Sequence, residues 1–186
     1  MKRRMTCLAA LLLSLLLCGC GTSRASQQQA ELAQTLCERR QLRFEAQVRA
    51  EYPDKTVCFR LDYAEDDKGC YLTVQKPEEI RGIQLRLGTD GTQLRLEDLT
   101  LDAGPLDRYG LSPVTALPAL TRALREGHLE HAWTEGELQV WELIADDTLT
   151  VRVWLDDTPI PRRAELISEG RVAVYCEIEN WHFAGE

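Results

Sequence analysis

The sequence predicts an α+β domain, a curved antiparallel sheet with helices on its concave face. Three observations predict it. Alternation of apolar and polar residues recurs along most of the chain. The apolar sets of successive alternating segments fall opposite one another when the segments are folded back as hairpins. Helical periodicity occurs in only two places, so two helices are the available cover for the apolar face that such a sheet must hide.

The chain opens on a targeting segment. Met1-Lys2-Arg3-Arg4 precedes an apolar run over 8–17 broken only by Ser14. A run of about 10 residues is too short to span a ~30 Å hydrocarbon core as a helix. It ends in Leu17-Cys18-Gly19-Cys20, with Leu at −3 and small Gly at −1 of Cys20. That reads as a bacterial lipoprotein signal over 1–19, with a diacylglyceryl group attached to the Cys20 sulfur. Cys18 follows Leu17 and lacks the small residue. Two or more acyl chains hold a protein stably on a membrane where one does not. The expected place is therefore the extracytoplasmic face of a cell membrane, with 20–26 as lipidated Cys and tether and 27–186 as one domain.

The segment removed carries Lys2, Arg3 and Arg4 and no acid, so the formal net charge moves from −8 to about −11. An acidic exported domain is a poor partner for nucleic acid. Of the seven cysteines, Cys37, Cys58, Cys70 and Cys176 remain in the domain beyond Cys20. An exported location permits disulfides, with three full connectivities for four thiols. No pair has C-x2-C spacing, so a zinc motif is not expected.

Residues 27–40 read as the first helix, with Leu32 and Leu36 four apart and good helix formers around them. From Leu42 the period becomes two: Leu42, Phe44, Ala46, Val48, Ala50 and Tyr52 share a face. Tyr52-Pro53-Asp54-Lys55 is a turn. Val57, Phe59, Leu61 and Tyr63 continue the inner face, and Cys70, Leu72 and Val74 return on it after Asp66-Asp67-Lys68-Gly69. The expected register places Val48 opposite Phe59, Leu61 opposite Leu72 and Tyr63 opposite Cys70. Cys58 then lies on the polar face and cannot bond Cys70. Ile83, Leu85 and Leu87 form another strand, Asp90-Gly91 a hairpin turn, and Leu94, Leu96, Leu99 and Leu101 two short strands parted at Glu97-Asp98. Asp102-Ala103-Gly104-Pro105 ends this half.

Ser112-Pro113 starts the second helix as N-cap and first helical residue, and Gly127 stops it. Val114, Leu117, Leu120 and Leu124 give its apolar face, and Pro118 implies two short pieces or a kink. Strands follow over 138–144, 149–155, 164–167 and 172–178, with a short piece over 181–183. Trp154 is out of phase with Val151, Val153 and Leu155, so it belongs to the other face as a surface or contact residue. The order is helix, about six strands, helical insert, about five strands.

That order resembles the periplasmic lipoprotein-carrier (LolA-like) superfamily. Lys76-Pro77-Glu78-Glu79-Ile80 with Gly82, Leu111-Ser112-Pro113 with Ala116-Leu117-Pro118, and Glu177-Ile178-Glu179-Asn180-Trp181 resemble lipid-anchored lipoproteins of Gram-positive anaerobes with this fold. The resemblance implies an incomplete β-barrel of about eleven strands with helices plugging its concave side. It covers about residues 27–184. A soluble carrier has no lipid anchor, whereas this chain carries Cys20 in a lipobox, and fold alone does not license function.

No catalytic constellation accompanies the fold. His128 and His131 are three apart, which in a regular strand puts them on opposite faces, so no metal site is expected. Asp66-Asp67, Asp146-Asp147 and Asp156-Asp157 fall at turns, where Asp is favoured for local hydrogen bonds. Ser112 serves as a cap and lies in no G-x-S-x-G, and no Gly-rich phosphate loop occurs. The sequence reading is a non-enzymatic protein without cofactor that holds an apolar ligand, such as an acyl chain, between sheet and helices. Phe44, Phe59, Leu61, Leu72, Leu117, Leu120 and Leu124 would line it. The alternative is an envelope protein-interaction or sensing module whose concave face is only its core.

Overall fold

The computed structural model describes residues 24–39, 41–52, 54–88, 91–102 and 111–183. Helix α1 (Arg24–Glu38) leads into β1 (Leu42–Tyr52), β2 (Lys55–Asp66), β3 (Gly69–Lys76), β4 (Gln84–Gly88), β5 (Gly91–Leu96) and β6 (Leu99–Asp102). Helix α2 (Pro113–Glu126) precedes β7 (His128–Glu135), β8 (Leu138–Asp146), β9 (Leu149–Leu155), β10 (Pro161–Ser168) and β11 (Arg171–Phe183). These strands form a single antiparallel sheet in the order β6-β5-β4-β3-β2-β1-β11-β10-β9-β8-β7. The sheet curves without closing, and β6 and β7 are its edges. The lipobox with Cys20, residues 21–23 of the tether, Pro53, Asp90 and the turn at 103–105 lie outside the described residues.

The strand order explains where α2 must lie. The chain leaves the sheet at β6 and re-enters at the opposite edge, β7, so the insert crosses one face. It crosses the apolar one: Ala116, Leu117, Leu120, Ala123 and Leu124 are buried there with Leu32 and Leu36 of α1. The first and last strands meet in the middle of the sheet, with Val48 opposite Cys176 and Ala46 opposite Ile178.

Several expectations are corrected. The first helix starts at Arg24 and ends at Glu38, not 27–40; Ala25 already packs against the core, so the polar-looking start is helix rather than tether. The β2–β3 register is displaced by two residues from the expected one. Leu61 faces Val74 and Tyr63 faces Leu72, because Asp66 pairs directly with Gly69 across a two-residue turn. An even shift preserves the faces, so Cys58 is exposed and Cys70 buried on opposite sides as expected. Gly69 is required at this turn: its φ is +134° and a Cβ would run into the Leu87 carbonyl.

Helix α2 is one helix despite Pro118. An interior proline costs about 3 kcal/mol through its missing bond to the residue four back. Burial of Leu117, Leu120 and Leu124 offsets that at about 1.5–3 kcal/mol each. Ser112 and Thr115 also close a capping box at its start. Gly127 ends the helix in an extended conformation, φ −67°, and not through the left-handed region. A side chain there would strike the Ala123 carbonyl.

The piece at 181–183 is not separate. β11 runs through it with an irregularity opposite β1, where Asn180 has φ +55°, a conformation Asn tolerates. β7 was not legible as a strand, because nearly all its residues are exposed. A bulge at Glu130 puts His128 opposite Ile144 and His131 opposite Glu142, on either side of the Leu129–Leu143 pair. Leu143 is buried, so both histidines face outward rather than to opposite sides. Trp154 does point to the convex face, but only 4% of it is exposed. Its Nε1 donates to Glu135 Oε2 at 2.7 Å, and the Arg163 guanidinium lies 4.0 Å above the ring.

Candidate functional site

The concave face is the candidate site. Phe44, Leu61, Leu72, Leu117, Leu120 and Leu124 belong to one buried cluster, with Phe59 partly buried at its margin. Sheet and helices thus bring the seven sequence-predicted residues together. Phe44 stacks between Tyr63 at 4.6 Å and Trp181 at 4.9 Å between ring centroids. That stack draws on three strands and carries the ends of β1 and β11.

A polar pin crosses this apolar layer. The Tyr63 hydroxyl lies 2.8 Å from Glu65 Oε2 and 3.1 Å from Thr121 Oγ1. Arg125 Nη1 pairs with Glu65 Oε1 at 2.8 Å, and Arg125 Nε donates to the Leu36 carbonyl at 3.3 Å. Gln29 Nε2 donates to the Gly127 carbonyl at 3.1 Å. The two helices are therefore fastened to each other and α2 to β2. Apart from Tyr63, which the alternation placed on the inner face, none of these polar partners was singled out from the sequence; Thr121 sits on the apolar stripe of α2, the one signal that pointed to it. Burial pushes the Tyr63 phenol well above its ordinary range and the Cys70 thiol up to about 11. Burial alone pushes Cys176 up to about 12. Such thiols behave as small apolar groups. On β8 the buried indole Nε1 of Trp141 has no partner among the described residues.

Among the described residues, the helices do not extend over the whole sheet. α2 packs against β8, β1 and β10, and α1 against α2 and β7. Toward the other edge the row Phe44–Tyr63–Leu72–Leu85–Leu94–Leu101 runs across six strands on one face. It begins buried, yet Leu101 is 51% exposed and its neighbour Leu99 56%. Leu96, opposite Leu99, is also exposed. An apolar ledge therefore continues the core into solvent.

Glu130, His131 and Glu142 bring metal-ligand atoms within 4.8 Å of one another on the convex face. Arg152 already holds Glu142 Oε2 through Nη2 at 2.7 Å and Nε at 3.1 Å, so a cation occupies that carboxylate. No described helix is long and apolar enough to cross a membrane.

No protein-family model and no curated protein sequence matches the chain. Solved structures do. An uncharacterized conserved protein from Thermus thermophilus is similar with a TM-score of 0.51 at 12% identity, over 88% of this chain and 90% of that one. A LolA superfamily protein from Nitrosomonas europaea is similar with a TM-score of 0.43 at 10% identity, over 86% and 94%. The Mycobacterium tuberculosis lipoprotein LppX is similar with a TM-score of 0.43 at 11% identity, over 86% and 96%. At 12% identity the likeness to the Thermus thermophilus structure is one of fold alone.

Proposed function

We propose that this protein is a non-enzymatic lipoprotein, anchored through lipid on Cys20 at the extracytoplasmic face of a cell membrane, whose half-barrel holds an acyl chain or similar apolar ligand. The observation that carries this reading is the ledge of Leu96, Leu99 and Leu101, exposed at the uncovered end of an otherwise buried apolar face. A contiguous apolar surface rimmed by polar residues marks a binding site. From that ledge a chain could run toward Leu72, Leu61, Phe59 and Phe44, under Leu117, Leu120 and Leu124 as cover. The unpartnered Trp141 N–H would supply one donor for a carbonyl or carboxylate group.

A second reading, an envelope protein-interaction module, is favoured by the complete burial of Leu117, Leu120 and Leu124, which leaves the helix-covered part of the face filled by the protein itself. Native mass spectrometry of the mature lipoprotein, released from detergent, separates the two. The ligand reading expects a non-covalent apolar mass beside the covalent lipid, lost in a Leu99→Glu/Leu101→Glu variant. Absence of that mass, together with no saturable binding of a fluorescent fatty acid, leaves the interaction module. Acyl labelling of wild type and its loss in Cys20→Ala tests the anchor.

A further inference from the structure

The convex face over β7 and β8 carries a cluster of its own, away from the apolar site. The register builds it. His131 stands opposite Glu142, Glu142 opposite Arg152, and Arg152 opposite Glu165. Directly opposed residues point to the same side of a sheet, so these four form one row across β7, β8, β9 and β10.

The bulge in β7 adds a fifth member. In a regular strand Glu130 points away from the side that His131 takes. Here the pairing breaks between Leu129 and His131, which leaves Glu130 as the extra residue and turns it toward His131. Carboxylate oxygens of Glu130 and Glu142 and a ring nitrogen of His131 consequently lie within 4.8 Å of one another. Spacing in the sequence weighed His128 against His131; the bulge brings Glu130 to His131 instead.

Charge is unbalanced at this cluster. Arg152 holds Glu142 Oε2 through Nη2 and Nε, and Glu165 Oε2 through Nη1 at 3.2 Å. Arg163 is engaged with Glu135 and with the Trp154 ring. Glu130 makes no hydrogen bond or ion pair among the described residues. Three carboxylates therefore share one guanidinium, and a neutral His131 adds no charge. Two of them are poorly hydrated, with the Glu142 side chain 20% exposed and that of Glu165 18%.

Arg152 fills only one oxygen of Glu142. The other, Oε1, lies 3.6 Å from His131 Nδ1, too long for a hydrogen bond. It matches the spacing of two ligands on one ion: atoms about 2.1 Å from a shared tetrahedral zinc stand about 3.4 Å apart.

We propose that Glu130, His131 and Glu142 bind a divalent first-row transition ion, with zinc as the reference case. Imidazole beside carboxylates suits such an ion, whereas calcium and magnesium take oxygen ligands. Arg152 orients Glu142 from behind, the part played by groups that back a metal ligand. The ion supplies the two positive charges that the cluster lacks. It ties β7, an edge strand exposed along nearly its whole length, to β8. Three protein ligands leave a position open for water or for a donor from a partner.

The test titrates untagged mature lipoprotein in detergent with zinc chloride by calorimetry. A Cys37→Ser/Cys58→Ser background removes the exposed thiols, which are competing zinc ligands. Saturable binding of one zinc is expected. It should weaken at least tenfold in His131→Gln and in Glu142→Gln, and stay unchanged in His128→Gln and His182→Gln. His131 is exposed, so its replacement leaves the fold intact. Zinc should also raise Tm and slow amide exchange in β7, and do neither in His131→Gln. Absence of saturable binding, or equal affinity in His131→Gln, overturns the proposal. Calcium that binds as tightly as zinc overturns it too, since the cluster then only gathers cations by charge. Neither the apolar ledge nor the lipid on Cys20 enters these readouts.

Discussion

Two cross-strand rows of the same sheet face have opposite fates. Val48–Cys176–Ala164–Val153–Trp141 is buried across its whole length. Phe44–Tyr63–Leu72–Leu85–Leu94–Leu101 starts buried and ends in solvent. Both are built by the same alternation; the second ends at the edge strand β6, the first at β8, one strand in from the other edge. The difference lies in what stands over them. The first row lies on the side where α1 and α2 pack, and the second runs out from beneath them. Alternation decides which face is apolar; only tertiary cover decides whether that face is core or binding surface.

The comparison breaks most visibly at matched leucines. Leu120→Ala removes a fully buried side chain under the cover and should cost about 2–5 kcal/mol. Leu99→Ala, on the open ledge, should stay within about 0.5 kcal/mol. Urea denaturation measures both. Equal losses would mean that the ledge is covered in solution and the contrast between the rows is false.

A smaller effect tests how the cover is fastened. Arg125 joins Glu65 and the Leu36 carbonyl with little solvent access. Arg125→Met strands Glu65 beside Tyr63 while keeping the aliphatic stem. A fully buried pair broken this way loses 3–5 kcal/mol; here partial exposure reduces the expected loss to about 1–3 kcal/mol. Hydrogen exchange should rise in both helices before it rises in β9 and β10. A uniform rise across the sheet would show that the pin does not hold the helices specifically.

Most of the sheet was legible because its signal is local. Period two, turn residues and the Ser112-Pro113 start each concern neighbours in sequence, and they place ten of the strands' regions and both helices. What was missed is long-range. The β1–β11 pairing joins residues at opposite ends of the chain, and no pattern inside either strand names its partner. β7 hides because its residues are nearly all exposed and its Glu130 bulge breaks the period. The site residues were legible as apolar positions, whereas their degree of cover was not.

The cysteines extend the contrast from stability to reactivity. Cys70 and Cys176 lie beneath the cover with thiols raised to about 11 and about 12, while Cys37 and Cys58 are exposed. At pH 8 a thiol raised to about 11 is ionised to about one part in a thousand. A thiol reagent should modify Cys37 and Cys58 at least a hundredfold faster. The sign for stability follows: a raised thiol value favours the fold below the ordinary thiol range and is lost as pH rises through the raised value. Stability should therefore decline at alkaline pH, less so in Cys70→Ala/Cys176→Ala than in wild type. Fast labelling of Cys70 would show that the cover opens readily.

The smallest effect belongs to the convex side, where charge rather than apolar area orders the surface. Hydrogen bonds from Arg60, then Asn180, hold the Glu45 carboxyl below its ordinary value of 4.5. A lowered carboxyl contributes stability that is fully present above that ordinary value and is lost as pH falls through the lowered one. The pair is mostly exposed and screened, so the slope will be slight. Urea midpoints for wild type, Glu45→Gln, Arg60→Gln and the double variant, from pH 6 to pH 3, isolate it. Coupling between the two residues should be present at pH 6, shrink as the solution is acidified, and weaken in high salt. Coupling that persists unchanged at pH 3 would mean that packing of the arginine stem, and not the charge on Glu45, joins β1 to β2 at this point.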